Sequence, residues 1–218
     1  MKIATWNIER PTKTTLRNKK IIEELNIIAP DILILTESNE AIHLGNNYQY
    51  HHTTVLDPAY YKEGEKRVSI YSKYKLIETF QTFRGDTSLC IHLETPLGNL
   101  AVYGTVIGVY GNRRTDFTQD LHLQLLDFNN IAANNLFCIA GDLNMSFSDN
   151  YYHTKIGRDK LNESFNDLNL HNTTAGIPQN IDHIILSNEF IKGRELKVQC
   201  WNLDKKLSDH IGLALEIL

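Results

Sequence analysis

Ser208-Asp209-His210, just before the apolar run at residues 211–218, sets a carboxylate beside an imidazole at the start of an extended segment. Neighbouring side chains in a strand point to opposite faces, so one shared site requires the preceding loop to turn them together. A loop held for chemistry is one reading; a surface turn is the plainer one. The pair gains weight because polar residues recur at the ends of other apolar runs. Trp6-Asn7-Ile8-Glu9 closes the first run with an amide, and Leu35-Thr36-Glu37-Ser38 closes the second with a carboxylate. Ala140-Gly141-Asp142-Leu143-Asn144 sets Asp142 and Asn144 two apart, so that both face one way in extended backbone. Ile181-Asp182-His183 puts an aspartate inside an apolar strand, where an ionised carboxylate is costly unless paired. His210 is a suitable partner for it. Singly, each residue is explained as a cap or a loop exit. So many polar groups at strand ends, where layered α/β folds carry their sites, point to a single site.

The elements that must position these residues alternate without a linker. Residues 2–6 read as a strand, and residues 15–28 as a helix with Ile21, Ile22, Leu25 and Ile28 on one stripe, stopped by Ala29-Pro30-Asp31. Residues 32–35 form a buried strand. A β-rich middle covers residues 48–55, 67–72, 76–83, 88–94 and 99–106, with a hairpin turn at Thr95-Pro96-Leu97-Gly98. Residues 116–133 carry Phe117, Leu121, Leu125 and Phe128 at helical spacing, and residues 136–140 form another buried strand. A helix at 159–168 and strands at 181–186, 196–201 and 211–217 complete the chain. Strands outnumber helices, and several are apolar enough to be covered on both faces, which favours two packed sheets with helices outside them.

The 218 residues suit one domain, residues 1–218, with 42% apolar and 22% charged residues. A net charge of −4 offers no overall basic field for nucleic acid, so a polyanionic substrate must meet local cations or a bound metal. Cys90, Cys138 and Cys200 are odd in number and lie in apolar stretches, so they read as small buried hydrophobes rather than a disulfide set or zinc site. No signal-peptide pattern opens the chain and no apolar run is long enough to span a bilayer. A cytoplasmic protein with no membrane partner is expected.

Taken in order, Thr5-Trp6-Asn7-Ile8, Thr36-Glu37-Ser38, Gly141-Asp142-Leu143-Asn144-Met145, Ile181-Asp182-His183-Ile184 and Ser208-Asp209-His210-Ile211-Gly212-Leu213 resemble the motifs of the endonuclease/exonuclease/phosphatase superfamily. The resemblance runs from Asn7 to His210 and covers exonuclease III-like and deoxyribonuclease I-like enzymes. It implies a four-layer α/β sandwich, two packed mixed β-sheets flanked by helices. It also implies divalent-metal-dependent hydrolysis of a phosphoester, foremost a nuclease cleaving DNA or RNA by in-line attack of an activated water. By the resemblance, Glu37 is a metal-binding carboxylate, with Asp209 and Asn7 as further metal-site residues; hard oxygen donors without cysteine favour Mg²⁺ or Mn²⁺. Asp142 would orient or deprotonate the water, Asn144 hold a phosphate oxygen, His210 contact the scissile phosphate, and Asp182 orient His210 and favour its protonated form.

Two departures bear on the substrate. Where many relatives carry a phosphate-facing His or Tyr, this chain has Thr105, with Tyr110, Arg113 and Arg114 in the next loop available to compensate. Only 182 − 142 = 40 positions separate Asp142 from Asp182, a short segment whose Tyr151, Tyr152, Lys155, Arg158 and Lys160 either touch a nucleic-acid strand or form an ordinary mobile loop. A phosphatase or phosphodiesterase for a small or lipid-derived ester fits the acidic net charge, and a non-catalytic binding module on the same scaffold is the third class.

Overall fold

The computed structural model describes residues 1–12, 15–54, 56–113 and 115–218. Strand β1 (Lys2–Asn7) leads through helix α1 (Leu16–Ile28) to β2 (Ile32–Asn39), β3 (Gln49–His52), β4 (Glu65–Ser72), β5 (Lys75–Phe80), β6 (Ser88–Thr95) and β7 (Gly98–Val106). Helix α2 (Thr115–Ala132) connects to β8 (Phe137–Asp142), followed by α3 (Lys155–Asp167), β9 (Leu170–Asn172), β10 (Asp182–Ser187), the single turn α4 (Asn188–Ile191), β11 (Leu196–Trp201) and β12 (Gly212–Ile217). The strands form two six-stranded sheets, ordered β11-β12-β1-β2-β4-β3 and β5-β6-β7-β8-β10-β9. Both sheets are mixed. β1 pairs with β2, and β7 with β8, in parallel; the other pairings are antiparallel.

Alternation along the strands divides the apolar residues among three contacts. Ile34, Val68 and Ile70 of the first sheet meet Val102, Cys138, Ala140 and Ile184 of the second in the inner core. The sheets approach so closely at Gly104 that a Cβ there would lie 2.7 Å from Val68 Cγ1. Outside the first sheet, Ile21, Leu25 and Ile28 of α1 cover Ala4, Leu33 and Leu35. Outside the second, Phe117, Leu121 and Phe128 of α2 and Leu161 and Phe165 of α3 cover Tyr103, Ile139 and Ile185. The result is the four-layer α/β sandwich expected from the sequence.

Local chemistry fixes the helix ends. Thr15 accepts a hydrogen bond from Asn18 N at 3.2 Å to cap α1, which stops at Ala29 in left-handed backbone (φ 48°) before Pro30. Thr154 caps α3 in the same way, accepting from Gly157 N at 3.2 Å. α3 thus begins at Lys155, a turn earlier than the apolar spacing alone suggests, and takes up Lys155, Arg158 and Lys160, which were open to a mobile-loop reading. Two short elements, β9 and α4, escaped sequence reading because three- and four-residue segments carry no detectable period. β3 is shorter than the expected 48–55, and Val55 lies outside the described residues.

The topology sends the important residues to one end. Parallel pairing of β1 with β2 brings Asn7 beside Thr36, and that of β7 with β8 brings Val106 beside Asp142. Antiparallel pairing sets Asp182 directly opposite Asp142. β12 runs antiparallel to β1, so the loop carrying residues 208–210 arrives at the same end, where Ser208 Oγ donates to Asn7 O at 2.7 Å.

Candidate active site

At that end a buried constellation crosses the seam between the sheets. His210 Nδ1 lies 2.5 Å from Asp182 Oδ2, and Asn7 Nδ2 donates to Asp142 Oδ2 at 3.2 Å. Ligand-type atoms of Asp142, Asp182 and His210 all fall within 4.8 Å of one another. Asn7, Asp142 and Asp182 are almost wholly buried, while His210 keeps a small exposed surface. Its exposed edge helps line a cleft of about 380 Å³ with Tyr151, Tyr152, Asn180, Lys205 and Asp209.

The histidine is held from several sides. Its N–H donates to Ser208 Oγ at 3.1 Å, and its carbonyl accepts from Trp6 Nε1 at 3.0 Å and Asn202 Nδ2 at 2.7 Å. With Nδ1 committed to Asp182, Nε2 is the nitrogen left for the cleft. Burial opposes its charge, but the Asp182 carboxylate, through charge and hydrogen bond, and then Asp142 outweigh burial and push the imidazole up to about 10. Asp142 is pushed up to about 7, first by burial and then by the charge of Asp182, against the favourable effects of His210, Asn144 N–H and Asn7. The site thus pairs a persistent imidazolium with a carboxylate unusually willing to take a proton.

Other expected site residues stand further out. Glu37 follows the parallel β1–β2 pairing with φ 45°, and its Oε2 accepts from Arg10 Nε at 2.9 Å. Asp209 is 71% exposed at its side chain, with Oδ1 3.7 Å from His210 Nε2. Asn144 does not continue the strand: β8 ends at Asp142, Asn144 has φ 49°, and its N–H donates back to Asp142 Oδ1 at 2.8 Å. Its Nδ2 donates to Ile107 O at 2.9 Å, which ties down the β7–α2 loop.

Two of the expected substrate-binding residues lie outside the lining of this cleft. Thr105 is fully buried on the helix-facing side of β7, with its hydroxyl donating to Gln124 Oε1, and does not face the cleft. Gln124 also donates to Asp120, which accepts from Gly108 N at 2.8 Å, so this polar network shapes the loop from behind. Such inward polar residues on α2 are invisible to an apolar-stripe reading. Arg113 lies in a separate groove with Thr154 and Ile156, between the starts of α2 and α3, and Tyr110 lines another beside Arg84. Arg114 lies outside the described residues.

Sequence reasoning did not single out Arg10, Asn202 or Lys205. Arg10 and Lys205 resemble ordinary loop cations, and nothing local marks Asn202 as the residue that grips the His210 loop.

Residues 4–210 match the Endonuclease/Exonuclease/phosphatase family. The chain belongs to that family. Members of the endonuclease/exonuclease/phosphatase family are divalent-metal-dependent phosphoester hydrolases. Among curated proteins, none matches the chain by sequence. Solved structures resemble it in fold. A 3' phosphatase, NExo, from Neisseria, bound to product DNA hairpin, is 14% identical with a TM-score of 0.74, covering 100% of this chain and 99% of that one. An AP endonuclease from Archaeoglobus fulgidus is 13% identical with a TM-score of 0.72 at the same coverages. The human Nocturnin catalytic domain, with bound sulfate anion, is 18% identical with a TM-score of 0.66, covering 100% of this chain and 93% of that one. Among the described residues, no helix is long and apolar enough to cross a membrane.

Proposed function

We propose that this family member is a Mg²⁺- or Mn²⁺-dependent nuclease that hydrolyses phosphodiester bonds of DNA or RNA. The Asp142–Asp182–His210 constellation, whose Asp182 and His210 line the cleft, carries the reading. Asp142 takes the proton of the attacking water; its raised proton affinity suits that task, and Asn7 and the Asn144 N–H hold the carboxylate in place. His210 donates from Nε2 to a phosphoryl oxygen, stabilising negative charge as it develops, while Asp182 keeps the imidazole protonated and oriented.

The residues present fit a hard divalent cation. Glu37, Asn7 and Asp209 supply oxygen donors with no thiolate, and buried Asp182 Oδ1 has no hydrogen-bond partner, which leaves negative charge to be balanced. Glu37, Asn7 and Asp209 would hold the ion. When bound, it supplies Lewis-acid polarisation of the phosphoryl oxygen and neutralises charge on the ester.

Tyr151 and Lys205, with the Lys205 Nζ 5.8 Å from the Tyr151 ring centroid, give the cleft an aromatic surface and a cation for a nucleotide strand. A phosphatase acting on a small or lipid-derived ester is favoured by the net charge of −4. Three free cysteines, two of them buried, suit a reducing cytoplasm. The deciding experiment is a Mg²⁺ and Mn²⁺ activity screen over single-stranded, duplex and abasic DNA, RNA and phosphomonoesters, with His210→Ala as control. Turnover of a monoester with none on any nucleic acid overturns the nuclease reading.

A further inference from the structure

Glu37 is already paired: Arg10 Nε donates to its Oε2 at 2.9 Å, and Arg10 N donates to its carbonyl at 2.8 Å. The arrangement is held by the backbone. Glu9 (φ 53°), Arg10 (φ 52°) and Glu37 (φ 45°) all take left-handed conformations, which residues bearing a Cβ adopt at a cost. Arg17 anchors the loop by donating to Ile8 O at 2.9 Å, Glu9 O at 3.1 Å and Leu207 O at 2.6 Å, tying it to the segment that carries His210. The Arg10 side chain is nevertheless 52% exposed, and among the described residues its Nη1 and Nη2 make no hydrogen bond.

We infer that Arg10 is an exchangeable cation: it holds Glu37 until a divalent ion takes that carboxylate, and its guanidinium then turns to the substrate's phosphate. This rests on Glu37 being a metal ligand, as proposed above. The guanidinium on Oε2 competes with a divalent ion for the negative charge of the Glu37 carboxylate, and the two cations repel one another. Its planar fork matches two phosphate oxygens, and Arg17 keeps the Arg10 loop tied to Leu207, in the segment that carries His210. Arg10 is on this account a substrate-positioning residue.

Calorimetric titration with Mn²⁺ alone, without substrate, tests the exchange in the wild type, Arg10→Met and Glu37→Gln; KM for a single-stranded oligonucleotide is measured against salt. Arg10→Met is expected to bind Mn²⁺ about 5-fold to 10-fold more tightly, while KM rises about 10-fold and its log–log salt slope falls by about one contact. Arg10→Lys, which keeps the charge without the fork, is expected to tighten Mn²⁺ binding less while raising KM as Arg10→Met does. Unchanged or weaker Mn²⁺ binding by Arg10→Met overturns the inference, and so does an unchanged KM. Mn²⁺ binding by Glu37→Gln equal to the wild type overturns the metal-site reading itself, a result separable from the other two.

Discussion

His210 and Asp182 are hydrogen-bonded at 2.5 Å although they belong to different sheets, His210 from the loop before β12 and Asp182 from β10. Asn7 and Asp142 make a second contact across the same seam. The site is therefore assembled by sheet packing, and neither half holds the reacting groups alone. Asp182→Asn keeps the shape of the side chain but loses the charge that orients His210. The rate constant kcat should fall about 10³-fold, with a smaller change in KM. Steady-state kinetics at fixed metal concentration checks this, and a loss confined to KM would show that Asp182 acts only in binding.

The two perturbed groups define a pH window. In the proposed mechanism Asp142 must be ionised to accept a proton and is pushed up to about 7, while His210 must be protonated and is pushed up to about 10. The kcat/KM profile of the wild type should rise through the first value and fall through the second. In Asp182→Asn the alkaline limb should move down toward the ordinary histidine range near ~6.5. For stability, a histidine raised in the folded state contributes fully below its unfolded value of ~6.5 and loses that contribution as pH climbs through the folded value. Denaturant unfolding of wild type and His210→Ala at pH 6 and pH 10 should therefore converge at the higher pH. An alkaline limb unmoved by Asp182→Asn would assign that limb to another group.

Much of this was legible because the strand ends carry their chemistry locally: Asn7, Glu37, Asp142, Asp182 and His210 each follow or interrupt an apolar run, and the alternation of apolar residues predicted the layers. Distances across the seam were not legible, since they depend on how two sheets pack. Thr105 shows the limit most clearly. Its position in the chain fits a phosphate-facing residue, but strand alternation puts it on the side of Tyr103, beneath α2, where Gln124 takes its hydroxyl. Asn144 departs from its expected direction for the opposite reason, because a left-handed turn after Asp142 breaks the alternation.

Gly141 immediately precedes Asp142 and lies against β7. With φ 135°, a Cβ added there would sit 2.1 Å from the Thr105 carbonyl oxygen, a backbone atom that no rotamer change can move. Gly141→Ala should cost at least about 3 kcal/mol in stability and displace Asp142 from its partners. Gly176 has open space around it, so Gly176→Ala serves as the neutral comparison. Thermal melts of both variants decide the point; equal melting temperatures would remove the claim that β8 packs against β7 too closely for a side chain.

His183 shares β10 with Asp182 but points into the protein and does different work. Its Nε2 lies 2.9 Å from Met145 O and its Nδ1 3.1 Å from Thr174 Oγ1, with the Phe147 ring edge-on at 4.8 Å. Burial drives its pKa down to about 4, so the folded protein holds it neutral while the unfolded chain protonates it near ~6.5. Between those values the unfolded state binds more protons, and stability must fall as pH falls. The span corresponds to about 3 kcal/mol, fully present above ~6.5 and lost as pH drops to 4. Because His183 ties β10 to Met145, just beyond Asp142 and Asn144, its protonation should also loosen the loop after β8. Urea unfolding at pH 7 and pH 4.5 should show a steeper loss for the wild type than for His183→Gln. Parallel losses in the two proteins would assign the acid sensitivity to the carboxylates instead.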